Sequence, residues 1–400
     1  MRLLFAGIGL FALAACGEAE QATVNNTDTA ARLARETLII DTHIDVPYRL
    51  NDAWEDVSVA TETGDFDYPR AAAGGLNVPF MSIYTPAKLD GTPAAKEHAE
   101  AMINLVERMV ASAPEKFVIA RNPGEVEAAF KAGKIALPLG MENGSPVSGD
   151  LANLDYFYGR GIRYITLAHS KSNHISDSSY DPERKWDGLS AFGETAVKRM
   201  NRLGIMVDIS HVSDAAFYDV MEISAVPVIA SHSSARHFTP GFERNMNDEM
   251  IKALSLKGGV IMINYGSAFL TEIANQYRPT RDAAYKTYLA TGNVEDTPEL
   301  KEQFDKDYLV ANPYPFASLD DVLNHIDHVV KIAGVDYVGI GSDYDGVGDS
   351  LPTGLKDVAS YPALIEGLLA RGYSEADIKK ILSANLMRVW STVEAYAAAN

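Results

Sequence analysis

Short apolar runs alternate with longer amphipathic stretches from about residue 38 to the end of the chain. An apolar run of roughly four to eight residues predicts a buried strand, and apolar positions that recur about every 3.6 residues predict a helix. Eight runs predict strands at 38–42, 78–84, 135–141, 163–168, 205–209, 226–231, 260–264 and 337–341. Amphipathic stretches predict helices at 94–113, 192–203, 215–223, 248–256, 319–332 and 375–397. Eight strand–helix units predict an α/β fold, a closed (β/α)8 TIM barrel.

One departure from this alternation lies at 268–316, between the last two predicted strands. The range is rich in Tyr, Asp, Glu and Lys, and it is too long for a plain loop, since most connections in compact domains have about 4–6 residues. We therefore expect inserted helices near the mouth of the barrel. No internal repeat or linker divides the rest, and we predict a single domain over 36–400.

The first 15 residues predict a secretory signal peptide. Arg2 precedes an apolar run over 3–15, which is too short for a comfortable membrane span. The run ends in LAAC at 13–16, which looks like a bacterial lipobox, where the signal is cut before a cysteine that is then lipidated. We expect Cys16 to carry the lipid and 16–35 to form the anchor and tether of a periplasm-facing envelope lipoprotein, with secretion as the alternative.

The composition supports a globular core and argues against a polyanionic partner. Of the 400 residues, 47% are hydrophobic and 22% are charged, which are ordinary globular values. Lys and Arg total 35 against 54 Asp and Glu, so the net charge of -19 repels nucleic acid. Cys16 is the only cysteine, which excludes an internal disulfide and a thiolate metal site.

Six of the eight predicted strands are followed by a side chain that can bind a metal or titrate. These side chains are His43, Asp45, Glu142, His169, His211, His232 and Asp343. The carboxyl ends of barrel strands meet at one mouth, where activity resides in essentially every characterised barrel enzyme, so we expect the side chains to converge. The two-residue spacing of His43 and Asp45 points both to one side of an extended chain.

Five of these residues form a predicted metal centre: His43, Asp45, Glu142, His211 and His232. Five ligands exceed the three that a single catalytic zinc usually takes from protein, and Glu142 has two carboxylate oxygens, so a bridged two-metal site is predicted. Imidazole and carboxylate ligands suit zinc best, with manganese, cobalt and iron as alternatives. The sequence has no GxSxG, HExxH or Walker A motif, so metal-activated water is the expected nucleophile.

Several stretches around these residues together resemble the membrane dipeptidase family, also called renal dipeptidases or peptidase family M19, within the barrel-fold amidohydrolases. The likeness extends from about residue 36 to residue 390. It rests on IDTHIDVP at 40–47, LGMENG at 139–144, YITLAHS at 164–170, VDISHVS at 207–213, ASHSSAR at 230–236, ERN at 243–245, VGIGSDYDGV at 338–347 and ILSANLMRVW at 381–390. The order and spacing of these stretches are highly specific as a set.

The resemblance implies a role for each metal ligand. His43 and Asp45 would bind one zinc ion, and His211 and His232 would bind the other. Glu142 would bridge the two ions, in the place where many relatives use a carboxylated lysine.

The resemblance also implies three contacts with substrate. Asp343 would take a proton from the bridging water and pass it to the leaving nitrogen, with Asp345 as the rival for this role. His169 would hydrogen-bond the carbonyl oxygen as it becomes an oxyanion. Arg244 would hold the terminal carboxylate through its guanidinium fork, with Arg236 as the nearby rival.

Two loops depart from the family pattern and leave their pocket contacts open. Many relatives have two glycines after the bridging glutamate, often followed by histidine, whereas NGS follows Glu142 at 143–145. Phe242 and Glu243 precede Arg244 in place of commoner residues. Five further histidines match no family position: His98, His174, His237, His325 and His328.

The sequence thus predicts a zinc-dependent dipeptidase on a barrel of the metal-dependent amidohydrolase type. It would hydrolyse the peptide bond of small dipeptides by a metal-bridging hydroxide, with D-residues at the C-terminal position in its expected range. Two alternatives stay open: an amidohydrolase acting on another amide, a lactam or a lactone, and a non-catalytic binding lipoprotein that keeps a metal for structure. A homodimer is an expectation by analogy with relatives, and membrane contact is expected only through the lipid.

Overall fold

The computed structural model describes the backbone of residues 15–400 and the side chains of residues 26–400. The predicted signal peptide therefore lies outside the described residues except for its last one, and so does the side chain of Cys16. The strands are β1 Ile40–Ile44, β2 Val78–Tyr84, β3 Phe117–Val118, β4 Ile135–Ala136, β5 Leu139–Glu142, β6 Ile162–Thr166, β7 Met206–Asp208, β8 Ile229–Ala230, β9 Val260–Ile263 and β10 Val338–Ile340.

Eight parallel strands form a nearly closed barrel in the order β1-β2-β5-β6-β7-β8-β9-β10. Beyond β10, a parallel bridge between Ile44 and Tyr344 brings the last strand back to the first. The helices are α1 Ala15–Glu36, α2 Val46–Asp52, α3 Tyr68–Gly74, α4 Ala94–Ser112, α5 Pro123–Lys131, α6 Ala152–Arg160, α7 Ala191–Leu203, α8 Asp214–Ile223, α9 Asp248–Leu256, α10 Ser267–Leu270, α11 Glu272–Gly292, α12 Pro298–Ala311, α13 Leu319–Ala333, α14 Tyr361–Ala370, α15 Glu375–Lys379 and α16 Asn385–Ala399. The predicted α/β barrel is confirmed.

The predicted strand at 135–141 is wrong in its extent, because the structure divides it in two. Its first part is β4, which pairs with β3 in a separate two-stranded sheet, and only β5 belongs to the barrel. Pro138 lies between them and has no N–H to donate to a strand ladder, although its carbonyl accepts from the Met81 N–H at 2.9 Å.

The prediction of a tether at 16–35 differs from the structure, in which this range lies within helix α1. Ala30, Leu33 and Ala34 are buried, and the helix packs against α14. Arg32 also forms an ion pair with Glu375 at 2.5 Å. The buried residues Ala30, Leu33 and Ala34 are spaced by three and four residues, which is the pattern of one helix face. The packed part of the fold therefore begins before residue 36.

The amino end of the barrel is filled by apolar side chains. The first residues of four barrel strands, Ile40, Val78, Ile229 and Val260, belong to one buried cluster with Trp390 of α16. This packing closes one end of the barrel, so the polar residues that follow the strands lie together at the other end.

The insertion predicted at 268–316 is helical, as expected. It contains most of α10, all of α11 and all of α12, between β9 and β10. Among the described residues, no helix combines the length and apolar character of a membrane span.

Candidate metal centre and active site

The predicted site residues come together at the carboxyl end of the barrel. Each lies in the last residues of a barrel strand or in the loop directly after it, as expected for barrel active sites. The set is His43, Asp45, Glu142, His169, His211, His232 and Asp343.

Glu142 lies between two groups of candidate ligands, with one carboxylate oxygen facing each group. Nε2 of His43 lies 3.5 Å from Oε2 of Glu142 and 3.4 Å from Oδ2 of Asp45. On the other side, Oε1 of Glu142 lies 3.1 Å from Nε2 of His211 and 3.3 Å from Nε2 of His232. A carboxylate that faces two ligand groups in this way has the geometry of a metal bridge.

These distances fit the spacing of ligands around a cation. Ligands at about 2.0–2.2 Å from a tetrahedral zinc ion lie roughly 3.4 Å from one another. In addition, Nε2 of His43 is buried and has no hydrogen-bond partner among the described residues. Buried polar atoms are rarely left unpaired, so the donor set fits a pair of divalent metal ions.

Two of the histidines are oriented through the ring nitrogen that faces away from Glu142. Nδ1 of His43 lies 2.8 Å from the Tyr164 hydroxyl, which donates to the carbonyl of Thr42 at 3.0 Å. Nδ1 of His232 lies 2.7 Å from the Ser231 hydroxyl, which donates to the Asp208 carboxylate at 2.6 Å. Each hydroxyl can therefore accept from Nδ1–H, so that Nε2 is the nitrogen left to bind a metal when the ring is neutral.

The electrostatics of the site favour neutral imidazoles at His211 and His232, whereas at His43 burial is outweighed by Tyr164 and by the Glu142 and Asp45 carboxylates, which hold the pKa of that imidazole well above its usual range. Burial, reinforced by the charge of Arg244, holds the pKa of His211 well below its usual range. Burial likewise lowers the pKa of His232. Burial would raise the pKa of Glu142, but the surrounding imidazoles, with His169 foremost, hold it well below the usual value. Neutral imidazole and ionised carboxylate are the forms that bind metals.

Several site residues have a backbone conformation that L-residues seldom adopt. Asn143, His211, Asp343 and Asp345 have φ values of 73°, 68°, 65° and 63°. Asn, Asp and His are the non-glycine residues that tolerate this region best, and such conformations cluster at functional sites. The strand ends are therefore shaped by the loops around the cluster and not by regular strand geometry.

Asp343 is a buried carboxyl group at the floor of the cavity. Its Oδ2 accepts from the Asn264 amide at 2.7 Å, and it lies with His43 and Asp45 in a group whose ligand atoms are within 4.8 Å. Burial raises the pKa of Asp343 to about 7, aided by the Asp45 and Glu142 carboxylates and opposed by His43. A carboxyl with a pKa near neutrality can both accept and donate a proton.

Both carboxylate oxygens of Asp345, the alternative to Asp343 in the sequence analysis, contact other parts of the chain. Oδ2 of Asp345 pairs with Nε of Arg49 at 3.2 Å, and Oδ1 accepts from the Asp65 N–H at 2.7 Å. The Asp345 carboxylate is therefore held by a cation, whereas the Asp343 carboxylate accepts only from the Asn264 amide among the described side chains.

His169 lies on the cavity wall beside the metal ligands. Its Nε2 is 3.4 Å from Oε1 of Glu142, and its ring packs edge-on against Tyr84 with centroids 4.8 Å apart. Burial lowers the pKa of His169, although the neighbouring Glu142 carboxylate opposes this shift. The imidazole keeps at least one N–H to donate in either protonation state.

Arg244 is buried next to the centre and keeps unused donors. Its two terminal nitrogens donate to the Ser233 hydroxyl at 2.6 Å and to the His232 carbonyl at 2.7 Å. Its Nε is buried without a partner among the described residues. The rival Arg236 instead forms a two-bond pair with Asp214, at 2.6 and 2.7 Å, and so serves the structure of this loop.

A cavity of about 700 Å³ opens above the cluster and includes residues that the sequence analysis missed. They are Tyr48, Tyr84, Tyr180, Phe269 and Arg278. Tyr84 ends β2 and Tyr48 lies on α2 just after β1, so the strand-end rule could have found them. Phe269 and Arg278 lie in the insertion, whose place over the mouth only the folded chain shows.

The described residues also include the histidines that match no family position. His325 is fully buried and bonds the Ala235 N–H and the Leu270 carbonyl, both at 3.0 Å. His328 lies 2.8 Å from Asp248. These contacts are structural.

Comparison with known proteins gives a consistent result. A sequence model of the family described as "Membrane dipeptidase (Peptidase family M19)" matches residues 27–400. Dipeptidase 3 of Mus musculus is 31% identical over 376 residues, which cover 92% of this chain and 66% of that protein. The chain thus spans slightly under two-thirds of the length of this relative.

Solved structures share the fold along most of the chain. The probable dipeptidase PvdM from Pseudomonas aeruginosa has a TM-score of 0.81 and 28% identity, covering 94% of this chain and all of that one. A metallo peptidase from Rhodobacter sphaeroides, liganded with a phosphinate mimic of the dipeptide L-Ala-D-Ala, has a TM-score of 0.73 and 26% identity. That match covers 90% of this chain and 100% of the Rhodobacter chain.

Proposed function

The chain belongs to the membrane dipeptidase family, peptidase family M19, and from this premise we propose that it hydrolyses the peptide bond of small dipeptides with two zinc ions bound at the cluster. The observation that carries the proposal is the position of Glu142, whose two oxygens face two separate groups of ligand nitrogens. A structural zinc site is normally closed and needs no cavity or free acid, whereas this cluster forms the floor of an open cavity.

His43 and Asp45 would hold one ion and His211 and His232 the other, with Glu142 shared between them. Metal ions in such a site polarise a carbonyl group and lower the pKa of water to roughly 7. Manganese, cobalt and iron are the alternative metals that these ligands accept.

The remaining residues bind and orient the dipeptide and move its proton. Arg244 offers its unused guanidinium donors to the terminal carboxylate of the substrate. His169 donates an N–H to the carbonyl oxygen as negative charge develops there. Asp343 accepts a proton from the attacking water and returns it to the leaving nitrogen, because its carboxylate lies within 4.8 Å of the ligand atoms of His43 and Asp45.

D-residues at the C-terminal position are part of the proposal. The support is the Rhodobacter sphaeroides relative, whose bound ligand mimics L-Ala-D-Ala. A panel of dipeptides that varies side chain and chirality at each position, assayed on protein of known metal content, tests this range.

Metal removal tests the mechanism directly. We expect chelation to abolish dipeptide hydrolysis and added zinc to restore it, because the proposed nucleophile is a water molecule that the metal ions activate. Unchanged hydrolysis by protein shown to be free of metal would refute the mechanism. Metal-loaded protein that binds dipeptides but hydrolyses none would instead support the binding-lipoprotein alternative.

A substitution at Arg244 distinguishes dipeptidase activity from activity on other amides, lactams and lactones. Replacement by Met should raise KM strongly for dipeptides with a free terminal carboxylate and have little effect on their C-terminal amides, because the amides lack the charge that the guanidinium binds. Equal effects on acids and amides would favour the wider amidohydrolase activity.

We also propose that Cys16 carries a lipid that holds the protein at the periplasmic side of the bacterial cell envelope. The LAAC sequence at 13–16 supports the anchor. Cys16→Ser should move the protein from the membrane fraction to the soluble fraction. By analogy with relatives, we further propose that the protein is a homodimer. Light scattering of the purified protein tests this oligomeric state.

A further inference from the structure

Arg278 lines the catalytic cavity but has no part in the reaction proposed above. It lies on α11, in the insertion, and its side chain is exposed. The groups at the floor of the same cavity, Asp45, Glu142 and Asp343, are only 4–8% exposed. Arg278 therefore stands at the open side of the cavity, where a bound dipeptide would extend away from the metal ligands.

The guanidinium of Arg278 has no partner in the part of the chain that the structure describes. It forms neither an ion pair nor a hydrogen bond there, although the chain has 54 acidic residues. Arg281, one turn further along α11, pairs with Asp282 at 3.0 Å and with Asp305 at 3.3 Å. The charge of Arg278 is thus unpaired, although that of its neighbour Arg281 is paired. Because Arg278 also lines the cavity, its guanidinium is available to a ligand.

Arg244 lies behind the part of the cavity wall that includes Arg278: its guanidinium carbon is 5.3 Å from the ring centroid of Phe269, which lines the cavity together with Tyr180 and Arg278. Burial raises the pKa of the Tyr180 hydroxyl, and the charges of Arg244 and Arg278 both oppose this rise. Tyr180 itself lines the cavity. A substrate residue whose terminal carboxylate contacts Arg244 would thus have its side chain within the field of Arg278.

We propose that Arg278 binds a second carboxylate, and that the preferred substrates are dipeptides whose C-terminal residue has an acidic side chain. The inference rests on the proposed dipeptidase function. A dipeptide of neutral residues has a single carboxylate, which Arg244 takes, so a second free guanidinium favours a second negative charge. The planar fork of Arg278 suits a carboxylate, and glutamate or aspartate supplies it.

The test compares peptides that differ only in this charge. Ala-Glu and Ala-Gln, each with an L- or a D-residue at the C-terminal position, are assayed with zinc-loaded wild-type protein and with Arg278→Gln. We expect the wild type to prefer the acid over the amide about tenfold in kcat/KM, as for one hydrogen-bonded charge pair. Arg278→Gln should lose this preference, mainly through a higher KM for the acid, and should leave kcat/KM for the amide unchanged within about twofold.

Arg281→Gln is the matched control, because it removes the same charge from the same helix at a residue outside the cavity wall. It should keep the preference for the acid. The inference is overturned if the wild type has equal kcat/KM for the acid and the amide in both chiral series. It is also overturned if Arg278→Gln lowers kcat/KM equally for both peptides, or if Arg281→Gln loses the preference for the acid as Arg278→Gln does. In these cases dipeptide hydrolysis itself still stands. If the zinc-loaded wild type hydrolyses none of the peptides, the proposed function fails and the inference fails with it.

Discussion

The carboxylate of Asp208 shows how single residues prepare the metal centre. It is fully buried and no basic side chain pairs with it in the described chain, but it accepts from the Ser231 hydroxyl at 2.6 Å and from the N–H groups of Ser231 and Ser210 at 2.8 and 3.0 Å. Through Ser231 it sets the orientation and protonation of His232. Such contacts behind the ligands raise ligand basicity and hold the ring in place.

Asp208→Asn should weaken metal binding by roughly 10- to 100-fold, because the amide holds Ser231, and hence His232, less firmly. Competition with a chelator of known affinity measures the change. Asp67→Asn is the control, since Asp67 is equally buried but caps α3 and pairs with Arg70 at 2.8 Å. Wild-type metal affinity in Asp208→Asn would contradict the role.

Asp343→Asn should lower kcat/KM by roughly 10²- to 10⁴-fold with no loss of bound metal, because the amide cannot accept the proton. Asparagine tolerates the φ of 65° at this position, so the backbone should keep its shape. Activity assays and metal analysis on the same sample measure both quantities. Asp345→Asn, with a similar φ of 63°, should affect turnover far less. Equal losses in the two variants would argue against the assignment to Asp343.

At the scale of elements, the turn after β10 holds the acidic side of the centre. Gly346 lies so close to the cluster that a Cβ atom there would be 2.2 Å from Oδ2 of Asp45 and 2.3 Å from Oδ1 of Asp343. Arg49 on α2 and the Asp65 N–H hold Asp345 within the same turn. The turn is therefore fixed by distant parts of the chain and leaves no free volume beside the carboxylates.

Gly346→Ala should displace both carboxylates and reduce metal content and turnover together, because a methyl group cannot occupy the same space. Gly159→Ala is the matched control: a Cβ atom at this position in α6 meets no other atom within 4 Å. It should leave activity unchanged and raise stability by about 0.5–1 kcal/mol. Calorimetry and metal analysis of both variants provide the test, and full activity in Gly346→Ala would show that the turn can relax.

At the scale of the whole molecule, the barrel separates stability from chemistry. Apolar residues and α16 close the amino end, and the polar cluster lies at the carboxyl end, in a cavity that α10 and α11 of the insertion help to line. α1 adds to the stable part by packing on α14. Residues near the amino end of the chain thus contribute to the fold itself.

Leu33→Ala should destabilise the protein by about 3 kcal/mol, because Leu33 is fully buried between α1 and the body of the barrel. Leu256→Ala is the control, since that side chain is 81% exposed and should be nearly neutral. Urea unfolding of both variants measures the difference. A neutral Leu33→Ala would mean that this segment acts as the tether that its composition suggests.

The sequence alone determined the barrel class, most strand and helix positions, and the residues that could bind metal, because these depend on local periodicity and on residue type at strand ends. Only the tertiary structure decided that Pro138 ends one strand and that α1 packs on the fold. It also decided that Glu142 faces two ligand groups and that Arg278 reaches the cavity. These features arise from contacts between segments far apart in the chain, and local patterns contain no information about such distances.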